Sequence, residues 1–147
     1  EPWTVGGKTY AAGSLLVTRF EDFMAGKREF EVLFAPTETT SLAGAVWTKS
    51  HVVLNILDDV KNRLEVLTPG AQGWQKGEFV GAPAFGTIGV GAVDSDESDA
   101  VWLTVTDYLT PTTLSLATML RFDSSAISCS TVRTGTSWKL KVTGAPL

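Results

Sequence analysis

The sequence predicts an all-β chain, and three observations predict it. Short runs rich in Val, Ile, Leu, Thr and aromatic residues alternate apolar and polar positions with a period of two, the spacing of a pleated strand. Clusters of Gly, Pro, Asp, Asn and Ser separate those runs, as turns require. No window carries the three-to-four-residue apolar stripe of an amphipathic helix.

The elements follow in order. Residues 1–13 are rich in Gly and Thr and carry little periodicity. SLLVTRF (14–20) is the first strand expected, and 21–27 has room for one helical turn. EFEVLF (29–34) alternates charged and apolar residues as a half-exposed strand does, and Pro36 with its Thr-rich sequel ends it. A strand is expected over 43–48. The stretch HVVLNILDDVKNRLEVL (51–67) then reads as two strands joined by the polar turn DDVKN. TPGAQG (68–73) reads as a loop, because Pro fixes φ and Gly allows positive φ. An outer strand over 74–80 follows. TIGVGAV (87–93) is a strand of small residues, DSDESD (94–99) an acidic turn, and AVWLTVT (100–106) and 112–117 a strand pair. From 118 the character changes. Residues 124–135 are dominated by Ser and Thr, and only WKLKV (138–142) reads as a further strand.

Bulk properties set limits. A chain of 147 residues, nearly half apolar, suits one domain with a core. Its net charge of -4 gives no electrostatic attraction to nucleic acid or anionic lipid. No apolar run is long enough to span a bilayer as a helix. Neither nucleic acid nor membrane is therefore expected as a partner. The chain opens on Glu1-Pro2-Trp3 with no basic segment ahead of an apolar one, so no signal peptide is expected within it. One cysteine, Cys129, excludes an internal disulfide. It fits a reducing compartment, which favours the cytoplasm over the periplasm, and it reads as an inert thiol.

A repeat then appears. Shifting the sequence by 49 lays HVVLNILDD on AVWLTVTDY, matching Val52 to Val101, Leu54 to Leu103, Ile56 to Val105 and Asp58 to Asp107. One further residue of shift brings Leu64 onto Leu114 and Val66 onto Leu116. Four-stranded propeller blades repeat every ~40–50 residues. On this reading 43–80 is one blade, 87–117 most of a second, and 14–34 the last strands of a preceding one. A closed ring needs ~4–8 blades. The fold class expected is thus all-β, a partial β-propeller of about two to three blades of antiparallel four-stranded sheet, not a closed ring. Residues 1–117 form the blade region, and 118–147 a divergent tail adding one strand to the same domain.

Three segments also resemble one family. GKTYAAGSLL, SLAGAVWTKSHVVLNILDDVKNRLEVLTP and DESDAVWLTVTDYLTPTTLSLA look like the N-terminal β-propeller of the prolyl oligopeptidase family. The resemblance covers roughly 3–117. It implies a relation to serine peptidases that cut after proline in short peptides. In them a seven-bladed propeller covers an α/β-hydrolase domain and filters substrates by size. The family's serine, aspartate and histidine belong to that hydrolase domain, which is absent here. No G-x-S-x-G string, the strained turn that exposes such a serine, occurs.

His51, the single histidine, is expected to be a hydrogen-bonded structural residue, since no second metal ligand lies at strand or turn spacing. The run Asp94–Asp99 lacks the Gly at position six and the Glu at position twelve that a calcium loop needs. It reads as a solvated turn. Gly86, Gly89 and Gly91 lie in a strand pattern and point to backbone packing rather than a phosphate loop. Asp58 and Asp107 read as a repeated turn cap rather than a carboxylate pair. Trp3, Trp47, Trp74, Trp102 and Trp138 read as packing between blades. No catalytic, cofactor-binding or metal-ligating residue is assigned, and no cofactor is expected. The function expected is a non-catalytic fragment of a substrate-gating propeller, with peptide substrates belonging to the full-length family. The alternative is a small β-rich ligand- or protein-interaction module. A homo-oligomer formed through exposed blade faces or edges is expected as well.

Overall fold

The computed structural model describes residues 1–79, 86–109, 111–120 and 128–134; for Leu120 and 128–134 it describes the backbone alone. The chain divides into two units, Glu1–Leu42 and Ala43–Leu147.

In the first unit β1 (Trp3–Val5) and β2 (Lys8–Tyr10) form a hairpin. Gly6 and Gly7 turn it, with φ of +59° and +77°. These strands lie in the stretch that shows no periodicity, because three-residue strands are too short to display one. A Cβ on Gly6 would sit 2.8 Å from the Arg28 carbonyl oxygen, so the position admits glycine alone. β3 (Leu15–Val17) pairs antiparallel with β4 (Glu31–Phe34) across a bulge at Leu15/Leu16. Between them α1 (Phe20–Met24) supplies the expected single turn of helix. Trp3 stands against Phe30 and Tyr10, with ring centroids 5.3 and 6.1 Å away.

The second unit holds two four-stranded antiparallel sheets. The first runs in the order β5 (Thr40–Trp47), β6 (Val52–Asp58), β7 (Lys61–Gly70), β8 (Gly73–Glu78), its first strand beginning at the join between the units. The second comprises β9 (Thr87–Ala92), β10 (Ala100–Thr106), β11 (Thr113–Leu120) and β12 (Ser128–Thr134), again in chain order. Each sheet is a meander in which every strand pairs with its sequence neighbour, the form of a propeller blade. The chain is thus nearly all-β, and none of its sheets closes into a barrel among the described residues. The architecture is that of a partial propeller-like fold.

Turn chemistry sets the register. Asp58 pairs with Lys61 across the two-residue turn Asp59-Val60. Asp59 has φ of +52°, a conformation that Asp tolerates better than most residues. The expected loop over 68–73 is tighter than its composition suggests. β7 continues through Pro69 to Gly70, and Gly73 opens β8 with φ of +113°.

β11 passes through Ala117 without interruption, and β12 pairs with it from Leu114↔Thr134 to Leu120↔Ser128. The Ser/Thr-rich segment therefore supplies a fourth strand, where its composition signalled none. Thr and Val are β-branched and suit an edge strand. Of the expected strand over 138–142, as of Trp138, the described residues contain nothing.

The core of this unit lies between its two sheets. Val53, Leu64, Val66 and Phe79 pack with Ile88, Val101, Leu103, Ala117 and Met119. The register puts Val53 opposite Val66 and Asn55 opposite Leu64, so these side chains share the face turned to the second sheet. Val52, Leu54, Ile56 and Leu67 lie on the other face and are just as buried. A strand buried on both faces reads as a near-continuous apolar run, as VVLNIL does.

The repeat keeps its facing direction. Val101 and Leu103 turn toward the first sheet, and their counterparts Val52 and Leu54 turn the same way in the repeat, away from the second sheet. Successive sheets are thus stacked front to back.

Candidate functional site

Two polar networks tie the sheets together. Asp99, at the end of the acidic turn, reaches the β5–β6 turn. Its Oδ1 accepts the Ser50 backbone N–H at 2.7 Å and the Thr48 hydroxyl at 2.9 Å. Thr48 Oγ1 in turn accepts the His51 N–H at 3.2 Å. The Lys49 N–H donates to the Ser98 carbonyl at 3.2 Å, which joins the same two turns through backbone. His51 is only 4% exposed, and its Nδ1 stands 2.8 Å from Thr68 Oγ1.

Burial pushes the Asp99 carboxyl up, but the hydrogen bonds from Ser50 and Thr48, with the nearby His51, outweigh it and hold the group below the usual 3.8. The folded chain therefore keeps this carboxylate ionised at pH values where the unfolded chain protonates it. Its stabilising contribution is complete above about pH 5 and is lost as pH falls through the folded value. Asp99→Asn is expected to cost about 1.5–3 kcal/mol at pH 7, the usual worth of hydrogen bonds to a charged group. It should also shallow the acid limb of a melting-temperature profile from pH 6 to 2.5. An acid limb identical in the variant and the wild type would contradict this role.

The second network seals the free edge of β9. Asn55 Nδ2 donates to the Ile88 carbonyl at 2.7 Å. Asn55 Oδ1 accepts from Asn62 Nδ2 at 2.8 Å, and Asn62 Oδ1 accepts the Ile88 N–H at 3.4 Å. Two amides from β6 and β7 thus satisfy both backbone groups of one residue in the neighbouring sheet. Sequence reading missed both networks. Their members are separated by up to 51 positions and follow no local pattern.

The other candidates are dispersed. Asp94 folds back on its own turn, its Oδ1 accepting the N–H groups of Asp96 and Glu97 at 2.9 and 3.0 Å. Those two bonds hold its carboxyl below the usual range. Asp107 Oδ1 accepts the Leu109 N–H at 2.7 Å, a turn cap, while Asp58 closes its own hairpin opposite Lys61. Gly86 meets the Thr106 carbonyl, since a Cβ there would lie 2.7 Å from that oxygen. Gly91 differs: a Cβ there would touch nothing within 4 Å. Cys129 lies on β12 opposite Met119 in the backbone register.

The tryptophans depart from expectation. Trp47 and Trp74 stack edge to face at 6.3 Å, and Trp3, Trp47 and Trp102 are all substantially exposed. The packing between the two sheets rests instead on Val, Leu, Ile, Ala and Met side chains together with Phe79.

Among the described residues, no group of three His, Cys, Asp or Glu side chains is gathered as a metal site requires. No described helix is long and apolar enough to cross a membrane. A shallow groove of about 330 Å³ opens on β7 and β8, lined by Arg63, Glu65, Lys76, Gly77 and Glu78. Arg63 Nη1 pairs with Glu65 Oε1 at 3.1 Å, and Glu65 stands directly opposite Glu78. The groove carries two positive and two negative side chains that offset one another. That balance gives no strong field for an anion or a cation.

No family model matches the chain. An uncharacterized peptidase of Sinorhizobium fredii is 30% identical over 115 residues, covering 76% of this chain and 16% of that peptidase. A post-proline cleaving enzyme from Rickettsia typhi shares the fold with a TM-score of 0.67 at 20% identity, over 87% of this chain and 18% of that one. The chain spans less than a fifth of the length of either relative. Through these two matches the resemblance read from the three sequence segments stands, and the chain is similar over most of its length to one stretch of the prolyl oligopeptidase family of peptidases.

Proposed function

We propose that this chain is a non-catalytic portion of a larger prolyl oligopeptidase-like peptidase, and that its sheets are blades which enclose the catalytic chamber and limit substrate size. One observation carries the reading. Two successive four-stranded meanders, stacked front to back at a repeat of 49, are similar to one part of a post-proline cleaving enzyme. Hydrolysis in this setting needs an activated serine with its base and orienting acid, and the reading assigns that group to the portion of the relatives this chain does not span. The described networks around Asp99 and Asn55 serve to hold blade against blade.

The test is direct. The 147-residue chain is incubated with a chromogenic peptide carrying proline before the scissile bond. No turnover is expected at any protein concentration. Turnover abolished by a serine-directed inhibitor would overturn the assignment.

A further inference from the structure

We draw no further inference here: the strongest candidate, the outer face of the second sheet around the exposed Trp102 and Leu114, carries nothing, because nothing in the structure shows what covers it.

Discussion

Leu64→Ala is expected to destabilise the second unit by about 2–5 kcal/mol, the range for truncating a fully buried leucine. Leu64 is 1% exposed and sits in the layer between the two sheets, opposite Asn55 in the register. Truncation removes its apolar surface and leaves a cavity between strands whose backbone hydrogen bonds keep them from closing in. Urea unfolding should show a lower midpoint with an unchanged slope. Leu114→Ala supplies the comparison, because Leu114 occupies the same place in the repeat. At protein concentrations dilute enough to exclude association, that exposed residue should cost no more than about 0.5 kcal/mol. Equal losses at the two sites would show that the layer between the sheets is not the core.

Asn55→Leu should be about as costly, although it replaces a polar residue with an apolar one of similar size. The Asn55 amide is buried and bonds both the Ile88 carbonyl and Asn62. Leucine would leave those two groups without a partner in a site from which water is excluded. Each unsatisfied group costs about 1–3 kcal/mol, so a total of roughly 2–6 kcal/mol is expected. Asn62→Ala removes its 2.8 Å bond to Asn55 Oδ1 and the longer 3.4 Å bond from the Ile88 N–H but keeps the Asn55 bond to the Ile88 carbonyl, and should cost less. Hydrogen exchange gives a second readout. The Ile88 amide should lose protection in both variants, before the β10 amides do. A stability gain in Asn55→Leu would show that the clip is dispensable.

Much of the architecture was legible in the residues themselves. Alternation in LNILDDVKNRLEV marked the β6–β7 hairpin, and β10 runs from Ala100 to Thr106 as its pattern indicates. The shift of 49 placed two meanders and correctly paired their second strands. Other elements left no local trace. β1 and β2 are too short for a period, and β12 is built of Ser and Thr, which are equally at home in loops. The tryptophans misled because size and apolarity make indoles good core residues in general, whereas the layer between these sheets is filled by Val, Leu, Ile, Ala, Met and one Phe.

The sequence by itself determined the longer strands and their turns, because each depends on residues within a few positions of one another, and the repeat, because it compares one such pattern with the next. Only the tertiary structure decided which face of each sheet is covered. Val53 and Trp102 hold equivalent places in the pattern, yet one is sealed and the other open. It also decided that Asn55 and Asp99 join one sheet to the next. Such contacts link residues 33 and 51 positions apart. Their energies depend on distance and burial in three dimensions, and neither quantity is written in a period of two.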